Sequence, residues 1–182
     1  MKKNSPSTTY GTGLASQTHP IQAIAVDLDG TLLTSEKQIA PRGGALLKQA
    51  AARGIVVIIA TARGFQSSSQ LIAPLQLNAP FVCADGTLIF ANLTGELLQR
   101  HTLPLALATQ IARLADENGW ELAINIGNNN YLKQRKGQPL GHWHDHVYIV
   151  PTNETAVTEP PQRILCWYRE AIHPIHTFCQ TD

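Results

Sequence analysis

Ile24-Ala25-Val26-Asp27-Leu28-Asp29-Gly30-Thr31-Leu32-Leu33 is the stretch around which the rest of the chain arranges itself. A short apolar run ends in two carboxylates two residues apart, and a glycine follows. The run reads as a buried strand, and strand alternation puts Asp27 and Asp29 on the same side. Like charges that close are costly unless a cation joins them. Hard oxygen ligands favour magnesium. The residues therefore point to a Mg²⁺ site with one carboxylate free to attack a phosphorus. A turn followed by a helix N-cap accounts for the same pair, and both readings stay open at this stage.

Outward from this stretch, strands and helices alternate. The first strand spans about Ile21 to Val26, and the polar segment Thr34 to Ala40 reads as a loop or small flap. Pro41 suits the first turn of a helix. Leu46, Leu47 and Ala50 give that helix an apolar stripe, and Gly54 ends it. Ile55 to Ala60 is apolar throughout, the pattern of a strand buried on both faces. Thr61-Ala62-Arg63-Gly64 leads into a second helix carrying Leu71, Ile72 and Leu75, ended or kinked by Pro74. A third strand, Pro80 to Cys83, runs into Ala84-Asp85-Gly86-Thr87. This order predicts an α/β fold that begins a doubly wound, Rossmann-like parallel sheet. Ligands of such sheets sit beyond the carboxyl ends of the strands, where all three polar segments fall. Thr61 also reads as a cap for the next helix, and Asp85-Gly86 as a hairpin turn.

After Thr87 the pattern changes. Leu88 to Phe90 and Glu96 to Arg100 predict a hairpin. Pro104 opens a helix with Leu107, Ile111 and Leu114 on one face, ending near Asn118-Gly119. Trp120 to Ile126 alternates like a strand with one exposed face. Gly127 to Asn130 reads as a turn, Tyr131-Leu132 as the start of a strand, and Gly137 to Asp145 as a loop. His146 to Val150 is strand-like, Thr152 to Gln162 a polar connection, and Arg163 to Tyr168 a last strand. The expected division is a disordered tail over 1–20, a partial core over 21–88, an α+β domain over 89–168 and an irregular tail over 169–182.

The 182 residues are 43% hydrophobic and 15% charged, with net charge +1, enough for one good core or a core with a small appendage. A balance so near zero gives no electrostatic case for nucleic acid or an anionic membrane. Ile55 to Ala60 is too short to span a bilayer. The three cysteines, Cys83, Cys166 and Cys179, have neither metal nor disulfide spacing, which points to a reducing cytoplasm. His142-Trp143-His144-Asp145-His146 places histidines at two-residue spacing, a possible metal cluster or an incidental loop.

Asp27-Leu28-Asp29-Gly30-Thr31-Leu32 resembles the first motif of the haloacid-dehalogenase (HAD) superfamily of phosphohydrolases. Ala60-Thr61-Ala62-Arg63 resembles the second, and Val82-Cys83-Ala84-Asp85-Gly86 the segment before the cap. The order is most similar to the Cof-like branch, in which an α/β cap follows the third core strand. The resemblance implies a Mg²⁺-dependent phosphatase acting on a small phosphorylated metabolite. It implies Asp27 as nucleophile, forming an aspartyl-phosphate, and Asp29 as general acid and then base. Asp27 and the Asp29 backbone carbonyl would hold the metal. Gly30, the Thr61 hydroxyl and the Ala62 amide would bind phosphate, with the parts of Arg63 and Asp85 left open.

The sequence also departs from the pattern. Ala62 stands where the family usually has Gly, an expected strain if φ is positive there. Asp85 stands where it usually has Asn, a carboxylate that would repel phosphate unless protonated or turned away. The family's later Lys and its Gly-Asp-x-x-x-Asp motif have no match after Thr87. The expectation is a core lacking its C-terminal half, a truncated or frame-shifted end after Trp167, and weak or no turnover. The alternative is a non-catalytic remnant or interaction module.

Overall fold

The computed structural model describes residues 20–133 and 146–180, without the side chain of His146. Its first sheet has five strands in sequential order: β1 (Ala23–Val26), β2 (Val56–Ala60), β3 (Phe81–Cys83), β4 (Leu88–Phe90) and β5 (Leu97–Arg100). β1, β2 and β3 are parallel, with Val26 beside Ile59 and Ala60 beside Val82, so their carboxyl ends share one edge of the sheet. β4 and β5 add antiparallel. The predicted hairpin is present, but it belongs to the first sheet. Sheet pairing therefore carries the first unit on to Arg100, past the expected limit at residue 88.

The crossovers are α1 (Pro41–Ala52) and α2 (Phe65–Ile72). Two right-handed crossovers stepping the same way across a sheet place both helices on one face. This corrects the expectation that β2 is buried on both faces. Val57 and Ile59 are buried, whereas Val56 is 43% exposed. Ile59 packs with Leu28, Leu32, Ile72, Leu75 and Phe81, each worth about 1.5–3 kcal/mol when fully buried. α1 approaches this core through Gly44, where a Cβ would lie 2.9 Å from Ile39 Cγ2 and 3.3 Å from Leu75 Cδ2. Leu47 packs against the core, but Leu46, expected on the same stripe, is exposed. It lies about a quarter turn around the helix from Leu47. Ala73–Leu75 forms a tight turn beyond α2, as Pro74 demands.

After His101 to Pro104, α3 (Leu105–Glu117) leads to a second sheet ordered β8-β7-β6-β9. Its strands are β6 (Leu122–Ile126), β7 (Asn129–Lys133), β8 (His146–Val150) and β9 (Arg163–Cys166). β6 is buried along its whole length, contrary to the exposed-face expectation. It lies between β7 and β9, and Leu122, Ile124 and Ile126 pack with Ile111, Ala112 and Ala115 of α3. The β6–β7 turn is only Gly127-Asn128, tighter than expected, with Gly127 at φ 59°.

The connection before β9 contains a single helical turn, α4 (Asn153–Ala156), capped by Thr152. Asp116 of α3 holds it, accepting hydrogen bonds from Asn153 N at 3.0 Å, Asn153 Nδ2 at 2.9 Å and Glu154 N at 3.0 Å. Burial pushes the Asp116 carboxyl up, but Lys133 and those amides outweigh it and hold it below its ordinary value. The end of the chain is not irregular. A tight turn at Arg169–Ala171 enters α5 (Ile172–Cys179), whose Ile175 and Phe178 pack against the second core. Pro174 lies in the first turn of α5, where a helix tolerates proline.

Residues 1–19 of the expected tail over 1–20, the Gly137 to Asp145 loop and the histidine cluster lie outside the described residues, apart from the backbone of His146. Among the described residues there is no group of three His, Cys, Asp or Glu placed to hold a metal. No helix among them is long and apolar enough to cross a membrane.

Candidate active site

β1 stops at Val26 because the chain turns. Asp27 is extended, and Leu28 to Leu32 forms one wide turn closed by Leu33 N donating to Leu28 O at 2.8 Å. Gly30 sits in it at φ 75° with nothing within 4 Å of where a Cβ would be. The glycine is thus required by conformation, and the space above it is open. Leu28 is fully buried and anchors the turn, while Asp27 and Asp29 on either side of it are exposed. Both carboxylates reach solvent at the carboxyl edge of the sheet, held there by the turn rather than by the strand alternation expected, since β1 ends at Val26.

Their surroundings differ. Asp27 makes no side-chain hydrogen bond or ion pair with a described residue. Asp29 is gripped by two cations. Arg63 donates from Nε to Oδ2 at 2.6 Å and from an NH2 nitrogen to Oδ1 at 2.9 Å, and Lys37 Nζ donates to Oδ1 at 2.8 Å. The Arg63 guanidinium, and after it the Lys37 ammonium, hold the Asp29 carboxyl well below the usual carboxylate range. Asp29 is therefore ionised in this conformation and has no proton to give. Lys37 comes from the flap, which the structure confirms. Leu33 bridges Ile39, Thr34 N donates to Gln38 O, and Lys37 takes a left-handed conformation at φ 59°.

At the end of β2, Thr61 is buried and its Oγ1 accepts from Arg63 N at 3.2 Å. It stabilises its own loop; α2 begins later, behind Gly64, with no side-chain cap. Ala62 is exposed and is not among the residues with positive φ, so the expected strain is absent. Left-handed backbone falls instead on Ala84 at φ 49° and Asp85 at φ 57°, between β3 and β4, where Asp85-Gly86 does form the hairpin connection. The Asp85 carboxylate is neutralised by Arg163 of β9. Ala84 N donates to Arg63 O at 2.8 Å, tying the third strand end to the second.

The structure thus joins Asp29 to Arg63 and Ala62 to Asp85 through Arg163. Two site residues, Lys37 and Arg163, had no motif to mark them. Between the sheets lies a cleft lined by Phe65 and Gln66 from the first unit and by Asn125, Asn130, Gln162 and Arg163 from the second. Gln162 is 5% exposed; its Oε1 accepts from Gly127 N at 2.9 Å, and its Nε2 has no partner among the described residues.

A model of the haloacid dehalogenase-like hydrolase family matches residues 24–178. Pyridoxal phosphate phosphatase YbhA of Escherichia coli (strain K12) is 27% identical over 142 residues, 78% of this chain and 48% of that protein. An HMP-PP phosphatase of Serratia proteamaculans (strain 568) is 34% identical over 87 residues, 48% of this chain and 31% of that protein. The chain spans about half, or less, of the length of the curated relatives it matches. Among solved structures, a haloacid dehalogenase-like hydrolase from Bacteroides thetaiotaomicron superposes with TM-score 0.71 at 20% identity, covering 87% of this chain and 62% of that one. One from B. subtilis gives 0.72 at 19% identity, covering 88% and 67%. At such identities the likeness is one of fold.

Proposed function

The chain belongs to the haloacid dehalogenase-like hydrolases, and on that footing we propose that it is a phosphatase in which Asp27 takes the phosphoryl group from a small phosphorylated metabolite. The observation that carries this is the contrast at the end of β1. Asp27 is an exposed carboxylate without a described partner, while two cations stand beside it on Asp29. A free carboxylate is a nucleophile; the cations attract a phosphate dianion to it.

The donors present fit Mg²⁺. Asp27 offers a hard oxygen, the Asp29 carbonyl lies in the same turn, and magnesium is commonly held by one or two carboxylates with water and substrate phosphate completing its shell. When bound it would neutralise phosphate charge. Everything else falls to the chain. The Thr61 hydroxyl and Ala62 amide bind a phosphoryl oxygen, and Gly30 leaves the space open. The incoming dianion competes with Asp29 for Arg63 and Lys37. As they turn to it, the Asp29 carboxyl loses the cations that hold it down, and the negative charge of the phosphate beside it raises it further, so that it takes up a proton and carries it to the leaving oxygen. An Asp27 oxygen bonds to phosphorus, the phosphorus–oxygen bond to the leaving group breaks, and Asp29 protonates that oxygen. Water then attacks the phosphorus while Asp29 takes its proton, the bond between phosphorus and the Asp27 oxygen breaks, inorganic phosphate leaves, and the Asp27 carboxylate is regenerated.

The leaving group faces the cleft between the sheets. Its carboxamide lining and the neutralised Arg163 suit an uncharged polar group. The names of relatives, phosphatases of pyridoxal phosphate and of HMP-PP, supply the first substrates to assay. A reducing cytoplasm suits the three free cysteines. The test is Mg²⁺-dependent phosphate release from an aryl phosphate and from these compounds. Slow turnover that disappears in Asp27→Asn is expected; equal release by wild type and variant would sink the proposal.

A further inference from the structure

We propose that Arg163 is a positioning residue that sets the phosphate-binding peptide of the Thr61–Arg63 loop from the second sheet; the role rests on the phosphatase reading above. Its guanidinium reaches three acceptors. Nε donates to Asn125 Oδ1 at 2.6 Å, and one NH1 nitrogen donates both to Ala62 O at 2.9 Å and to Asp85 Oδ2. The side chain is only 17% exposed.

The consequence is local and geometric. The Ala62–Arg63 peptide unit is planar, so fixing its C=O and its N–H fixes the plane. Arg163 holds the C=O, and Thr61 Oγ1 accepts from the N–H. Thr61 N donates to Val82 O at 3.0 Å, and Arg63 O accepts from Ala84 N. Of the loop's three backbone N–H groups, the one without a described partner is that of Ala62, the group assigned to the phosphoryl oxygen. The other anchors named here come from the first sheet, whereas Arg163 comes from β9. The aim of the Ala62 amide and the start of the Arg63 side chain therefore depend on the second sheet being in place. Asp85 completes the arrangement. Its carboxylate, a liability beside phosphate, becomes the counter-charge that keeps Arg163 on the loop. A lysine has a single nitrogen and cannot span the three acceptors.

The experiment compares wild type with Arg163→Ala, Arg163→Lys and Asp85→Asn. It measures kcat and KM for aryl phosphate with Mg²⁺, and amide hydrogen exchange over residues 61–65. Misplacing a binding group by about 1 Å costs on the order of a hundredfold, so kcat of Arg163→Ala should fall by about that factor with KM little changed. Exchange at the Arg63 amide should quicken while α3 and β6 keep their protection, and millimolar guanidinium should restore part of kcat. Asp85→Asn retains an acceptor and should lose less than Arg163→Ala. Wild-type kcat and Arg63 exchange in both Arg163 variants would overturn the role. So would a loss confined to KM, or exchange that rises throughout the second sheet in Arg163→Lys as well. If wild type and Asp27→Asn release phosphate equally, the phosphatase reading fails, and exchange at Arg63 still decides whether Arg163 holds the loop.

Discussion

Asp27 and Asp29 are the same residue type at the end of one strand, and their neighbours give them opposite duties. Among the described residues no cation sits on Asp27, which the proposed mechanism uses as the nucleophile; Asp29 shares two. Because its folded pKa lies below the ordinary value of about 4, the Asp29 ion pairs stabilise the fold above that pH. The contribution is lost as pH falls through the lower folded value. The side chain is 40% exposed, so solvent screening limits the contribution to about 1 kcal/mol or less. Above about pH 4, Asp29→Asn should therefore lower the thermal midpoint slightly, and the difference from wild type should vanish as pH falls through the lower folded value. The Asp27 motif was legible because an apolar strand, two acids and a glycine are local. Lys37 was not, since a single lysine on a polar flap looks like any solvated side chain. Arg163 was not, since it meets Ala62 across 101 residues of sequence.

The elements were legible where one periodicity ruled and misread where a tertiary contact did. α3 follows its apolar spacing, and α1 does so apart from Leu46, which is exposed. β6 reads as half exposed because Asn125 lies in it, yet Asn125 is buried, bonded to Arg163 and Asn130. α5 was hidden by Pro174, a breaker in the middle of a helix but not in its first turn. Two substitutions probe these elements. Gly44→Ala puts a methyl 2.9 Å from the branched Ile39 Cγ2 and should cost about 1–3 kcal/mol in urea unfolding. Asp116→Ala strips the acceptor from Asn153, which is 1% exposed, and from the Glu154 amide. It should cost about 2–3 kcal/mol and raise exchange in α4 first.

At the scale of the whole molecule, a sheet whose parallel strands end at one edge brings three loops to a common place, and a second sheet closes a polar cleft against them. The α/β order of the first unit was readable from the alternation of apolar runs, and so was the edge where its three polar loops gather. The placement of the hairpin was not, because a hairpin adjoining two sheets in sequence can pair with either. The one-sided covering of β1 and β2 also escaped the sequence, because apolar residues on both faces do not reveal which face a crossover covers.

The central claim is that Asp27 accepts the phosphoryl group, and it is tested most directly by finding that group. The chain is mixed with an aryl phosphate and Mg²⁺, quenched in acid, reduced with borohydride and mapped by peptide mass spectrometry. A reduced acyl phosphate is expected at Asp27, more of it in Asp29→Asn, where water lacks its base, and none in Asp27→Asn. A label at another residue, no label at Asp27 in either Asp27-bearing protein, or phosphate release undiminished in Asp27→Asn would contradict it.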